Sequence, residues 1–160
     1  MTAINVNLAG DLLTPDEKAR IAERMTEAFA QVEVGNDSPM IRGGFMVHFE
    51  GAGADDLYVG GRPIASAGRE NRSALVTIRV MAGPWNAAMK QQLSARLDAV
   101  LREEAGLVQS EAGGHVWTTI VEVPDGGWGV NGAGVTIAQF EPVFAEEQKR
   151  RISKYLASEP

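Results

Sequence analysis

The sequence predicts an α+β fold in which a β-α-β unit occurs twice, giving a four-stranded mixed sheet with both helices on one face. Three observations carry this. Lys18-Ala19-Arg20-Ile21-Ala22-Glu23-Arg24-Met25 is answered 72 residues later by Lys90-Gln91-Gln92-Leu93-Ser94-Ala95-Arg96-Leu97, so one helix repeats another. Val59-Gly60-Gly61 is answered by Val130-Asn131-Gly132, a Gly-rich turn at the same place in each copy. Each copy also opens on a short apolar segment of strand character, Ala3 to Leu8 and Leu75 to Met81. Units this small cannot bury an apolar face alone and are expected to pack about a pseudo-twofold axis. The expected organisation is one domain over 1–160, with units at about 2–72 and 73–137 and a helical tail at 138–160.

Each element has its own signal. In the first strand Ile4, Val6 and Leu8 alternate with Asn5 and Asn7, the period of a strand with one apolar face. Thr14-Pro15-Asp16-Glu17 reads as a helix start, with Thr14 as N-cap, Pro15 in the first turn and Glu17 closing a capping box. Ile21, Met25, Ala28, Phe29 and Val32 form the buried stripe, and Gly35 is the expected stop. Phe45 to Glu50 is the second strand, and Leu57 to Gly61 starts a hairpin. In the second copy Leu93, Leu97, Val100 and Leu101 form the stripe of a helix ending at Gly106, and Val116 to Val123 is the last long strand. Pro124-Asp125-Gly126-Gly127 then turns the chain into the Trp128 to Gly132 hairpin. The sheet face away from the helices, carrying Met46, His48, Trp117, Thr119 and Val121, is expected to be buried against other subunits. Glu146 to Arg151 reads as a short amphipathic tail helix.

Composition narrows the function classes. A formal charge of -6 with no basic stripe argues against nucleic acid as a partner. No apolar run reaches the roughly 18 residues of a membrane span, and no signal-peptide pattern opens the chain. Zero cysteines exclude thiol catalysis and disulfides, and suit a cytoplasmic setting. The Gly-rich runs precede no helix in a phosphate-binding pattern, and His48 and His115 are the only histidines, so neither a cofactor nor a metal is expected.

Leu13-Thr14-Pro15, the Tyr58-Val59-Gly60-Gly61 turn, the His115-Val116-Trp117 to Glu122-Val123-Pro124 strand and the Trp128-Gly129-Val130-Asn131-Gly132 hairpin, taken in order, resemble the tautomerase superfamily in its long two-unit form. The resemblance covers residues 2 to about 137 and is closest to the cis-3-chloroacrylic acid dehalogenase and malonate semialdehyde decarboxylase groups. It implies a trimer with pockets at subunit edges and chemistry resting on an N-terminal proline. Here that position is Thr2. Thr is small enough to permit removal of a preceding initiator Met, which would leave a primary amine of pKa about 7.7–8.0. The helix histidine of the dehalogenase branch corresponds to Phe29, its paired arginines to the segment Ala82-Gly83-Pro84-Trp85, its strand tyrosine to Thr119 and its later glutamate to Val130. Haloacrylate hydration, which needs those groups, is disfavoured.

The candidate site residues follow. Thr2 is either an N-terminal catalytic group or simply the first residue of a strand. Arg79, Arg62 and Arg72 are candidates to hold a substrate carboxylate, or else solvated charges. Arg42, in the loop before the second strand, is another. Tyr58 and Trp128 stand in matching hairpins, as pocket walls or interface packing. Trp85 and Thr119 occupy positions where the family has functional residues. The expected activity is proton transfer, a keto-enol or double-bond isomerisation, on a small carbonyl or enol compound, with hydrophobic walls favouring a bulkier and less charged substrate than a haloacrylate. The alternatives are a catalytically decayed ligand-binding relative and a repurposed lyase or cyclase.

Overall fold

The computed structural model describes residues 1–9, 13–52, 56–63, 73–109 and 114–158. Strand β1 (Thr2–Ala9) leads to helix α1 (Pro15–Phe29), whose last turn rewinds as a π-helical segment over Ala30–Val34. A one-turn helix α2 (Pro39–Arg42) precedes β2 (Phe45–Ala52), and a small hairpin β3 (Tyr58–Val59) and β4 (Arg62–Pro63) completes the first unit. The second unit is β5 (Ala74–Met81), α3 (Ala87–Ala105), β6 (Val116–Val123) and the hairpin β7 (Trp128–Val130) and β8 (Ala133–Val135). Two 3-10 turns, Ile137–Gln139 and Glu141–Val143, lead to the tail helix α4 (Glu146–Leu156).

The main sheet has the order β2-β1-β5-β6. Each unit contributes a parallel pair joined by its helix, and the units meet antiparallel at β1 and β5, with Thr2 opposite Val80 and Leu8 opposite Ala74. The helix signals were legible. Thr14 accepts from the Glu17 amide while the Glu17 carboxylate accepts from Thr14 N at 2.7 Å, the reciprocal box that satisfies two orphan amides. Gly35 and Gly106 both end their helices in the left-handed region, at φ 77° and 68°.

Alternation decides which side of the sheet is covered. Ile4, Val6 and Leu8 of β1 and Val76, Ile78 and Val80 of β5 face α1 and α3, where Ile21, Met25, Phe29, Leu93, Leu97 and Leu101 close over them. Salt bridges from Arg20 and Arg24 to Glu104 tie the two helices together along their exposed edges. On the other face Met46, Leu75, Trp117 and Val121 remain exposed, beside His48, Arg79 and Thr119.

The tail closes one end of the sheet. Ile137, Phe144 and Ile152 bury themselves against Ala30, Val34, Ile41 and Met81, forming a second apolar cluster beside the first β-strand's start. Ala145 N donates to Val34 O at 2.9 Å, and a Cβ on Gly35 would lie 2.8 Å from the Ala145 Cβ. Gly35→Ala therefore meets both an unfavourable φ and a steric block. It is expected to cost about 1–2 kcal/mol and to lower the melting temperature by roughly 2–8 °C in a thermal melt. An unchanged melting point would mean that the tail does not dock there.

Candidate functional site

The site grows from the end of α1. Winding Ala30–Val34 as a π-helical turn, closed by Gly35 N donating to Ala30 O at 3.0 Å, buries Val32, Glu33 and Val34 in succession. Such turns are rare and concentrate at functional positions. Glu33 is thereby carried into the interior with 2% of its surface exposed. An acid seldom occupies such a place without a partner.

Its partner is Thr2, which is buried to the same degree and donates from Oγ1 to Glu33 Oε2 at 2.8 Å. Thr2 is held in turn by its own amide, which donates to Gly44 O at 3.0 Å and fixes the start of β1 beside β2. No hydrogen bond to Glu33 Oε1 is formed among the described residues. Burial dominates the electrostatics and pushes the Glu33 carboxyl up from 4.5 to about 7, because a charge there loses its hydration. The nearby N-terminal amine and the Thr2 hydroxyl pull the other way, as does the Trp85 indole N–H, which lies near the carboxylate without completing a hydrogen bond. The result is a carboxyl able to take or give a proton at neutral pH.

Glu33 forms part of the wall of a cavity of about 240 Å³. Met1, Met40, Ile41 and Phe45 line one side, and Phe140, Val143 and Phe144 of the tail line the other. Among the described residues its wall contains no Arg or Lys. Gln139 is the remaining side chain of the wall with hydrogen-bonding capacity; its Oε1 accepts from Thr136 N at 2.9 Å, which leaves the amide NH2 as a donor.

The residues expected from sequence are distributed differently. Thr2 is at the site, though as the hydroxyl that holds Glu33. Arg79 lies opposite Ala3 on β5 and is exposed on the open face, so within one chain it points away from the Thr2 side chain. Thr119 shares that open face on β6. Arg42 is bound by Asp37, to which Nε and Nη2 donate at 2.7 and 2.8 Å, and by Glu23, which accepts from Nη1 at 2.5 Å. A guanidinium so neutralised is not free to clamp a substrate. Tyr58 and Arg62 are exposed on the first hairpin, apart from the cavity wall. Trp85 is buried edge-on against Phe29, with ring centroids 6.4 Å apart; rather than lining the apolar cavity, it borders a polar groove with Asn86, Glu122 and Arg151. Trp128 packs at the margin of the tail's apolar cluster, its indole N–H buried without a partner. Arg72 lies outside the described residues.

Sequence reasoning missed Glu33 and the tail's contribution. Glu33 did leave a signal: it stands four residues after Phe29 and eight after Met25, in the buried stripe, with valine on both sides. Phe140 and Phe144 left none, because nothing in the local pattern says that a segment after the last hairpin returns to the start of β1.

No protein-family model matches the sequence, and no curated protein matches it. Solved structures do match. A fused 4-OT, an asymmetric trimer, superimposes with a TM-score of 0.65 at 17% identity, over 86% of this chain and 98% of that one. N1, a member of the cis-3-chloroacrylic acid dehalogenase family, gives 0.67 at 17% identity, over 95% of this chain and 99% of that one. Macrophage migration inhibitory factor from Toxoplasma gondii gives 0.63 at 14% identity, over 82% and 98%. At these identities the likeness establishes the fold, which this chain shares with all three structures.

Proposed function

We propose that this tautomerase-fold protein is an acid-base enzyme that moves a proton on the carbon next to the carbonyl of a small compound, with Glu33 as the group that takes and returns it. The observation carrying this reading is a buried carboxyl, titrating near 7, that forms the acidic end of an otherwise largely apolar cavity at the start of β1. That is also where the superfamily resemblance locates a catalytic amine. Thr2 holds Oε2, and in this proposal Oε1 takes the reacting proton. As the C–H bond breaks, its electron pair forms the C=C bond of the enolate while the carbonyl π pair moves onto oxygen, and an O–H bond forms at Glu33. Return of the proton to another position of the delocalised anion gives the isomer. The Gln139 amide is the donor from which the enolate oxygen would draw stabilisation.

In this proposal Thr2 positions the base and tunes it. Arg79 and Thr119 belong to the open face, which other copies of the chain cover in a homotrimer, and Tyr58 and Arg62 to the hairpin at the rim of that assembly. The exposed apolar side chains Met46, Trp117 and Val121 support an assembly of this kind, as do the trimeric structures that share the fold.

The test is deuterium wash-in at the α-carbon of small carbonyl compounds, followed by NMR across pH. The expected exchange rate rises through about pH 7. Thr2→Val removes a hydrogen bond to the charged form, so its profile should shift to higher pH while the protein stays folded. A profile flat from pH 5.5 to 8.5 would remove Glu33 from the chemistry. Ligand-induced thermal stabilisation with no exchange would favour the ligand-binding alternative.

A further inference from the structure

We infer that the substrate of this site is a neutral, largely apolar 1,3-dicarbonyl compound of roughly a dozen non-hydrogen atoms, and not a carboxylate. This rests on the assignment of the cavity as the reaction site. A buried carboxylate ligand needs a cation or a convergent set of amides, and the described wall offers no Arg or Lys. The basic side chains close to it in the sequence are spoken for. Arg42, next to Ile41 of the wall, is held by Asp37 and Glu23. Arg151 of the tail borders the separate polar groove and pairs with Glu147. Arg79 faces the opposite side of the sheet. Among the described residues, then, no side-chain cation lines the cavity beside Glu33. A second carboxylate would therefore meet Glu33 in an apolar surround with no Arg or Lys of the described wall to offset it.

Shape and chemistry narrow the class further. The 240 Å³ cavity is walled by aromatic and methionine side chains, which suits an aryl or branched alkyl group. A carboxyl base without a charged clamp on the enolate works efficiently only on an acidic C–H bond. The carbon between two carbonyls provides one, and its enolate spreads charge over two oxygens without requiring a cation.

The experiment compares benzoylacetone with benzoylacetate, which differ in a methyl ketone against a carboxylate, using calorimetry on the full chain at pH 7.5. Benzoylacetone is expected to bind at least tenfold more tightly. Methionine methyl NMR on the same unmodified protein locates it: the Met1 and Met40 resonances should shift while that of Met89, on α3, stays in place. Equal or tighter binding of benzoylacetate, or shifts confined to methionines outside the cavity, would overturn the inference, as would failure of benzoylacetone to bind. Binding at Met1 and Met40 without α-proton exchange would support the ligand class and count against Glu33 as a catalyst, so the two readings fail separately.

Discussion

Glu33→Gln is expected to abolish α-proton exchange and at the same time to make the protein more stable at pH 8. The sign follows from linkage. Glu33 has a folded pKa of about 7 against an ordinary 4.5, so the folded chain holds a proton that the unfolded chain has lost throughout the window between those values. The stability associated with the protonated group is fully present below pH 4.5 and falls away as pH rises to about 7. At about 1.4 kcal/mol per pH unit the loss is on the order of 3 kcal/mol. Glutamine keeps an oxygen for the Thr2 hydroxyl and never ionises, so the variant should lack this decline. Urea titrations at pH 5 and pH 8 should show the two proteins within about 1 kcal/mol of each other at the lower pH, and the variant ahead by about 2 kcal/mol at the higher one. A variant that is less stable than wild type at pH 8 would mean that the N-terminal amine holds Glu33 as a structural ion pair, and the proposed chemistry would lose its basis. A site that costs stability in order to keep an acid near neutrality is the pattern expected of function.

Trp117→Glu should separate the subunits. Trp117 lies on the open face of β6, opposite Leu75 of β5 and tilted against His115 with ring centroids 5.6 Å apart, with much of its ring exposed. Met46 and Val121 extend the apolar area along the sheet. Covering such a ring in an interface contributes about 2 kcal/mol per chain, and a glutamate there would carry an unpaired charge into the contact. Light scattering coupled to size-exclusion chromatography should show the mass falling from that of the proposed trimer of 17.1 kDa chains toward that of one chain. Far-UV circular dichroism should hardly change, since the helices pack on the other face. An unaltered mass would place the interface elsewhere.

Much of the fold was legible because its signals are local. The alternation of Ile4, Val6 and Leu8 specifies a strand face wherever that strand lies, and Thr14 with Glu17 completes its box inside a single helical turn. The repeat of the unit then limits the topology, since two crossover units joined antiparallel admit few arrangements. The open face was readable for the same reason: Met46, Trp117, Thr119 and Val121 alternate with residues that face the helices.

The site was far less legible. Sequence position and family correspondence point to Thr2, Arg79, Arg42, Arg62, Tyr58, Trp85, Trp128 and Thr119; of these, Thr2 hydrogen-bonds the cavity's acid and the Trp85 indole lies beside it. Arg79 was placed on the right strand, but a strand's period of two sends it to the other side from Thr2. Arg42 stands in the connection before the second strand, but its state is set by Asp37 of that same connection and by Glu23 of α1, and the contact with Glu23 is a tertiary one. By itself the sequence determined the secondary elements, their order and the apolar face of each, because those depend on periodicity and on hydrogen bonds spanning a few residues. Tertiary structure decided that Glu33 would be an acid titrating near neutrality, because that property belongs to its surroundings: a strand start 31 residues away in the chain, an N-terminal amine, and a tail that folds back to exclude water.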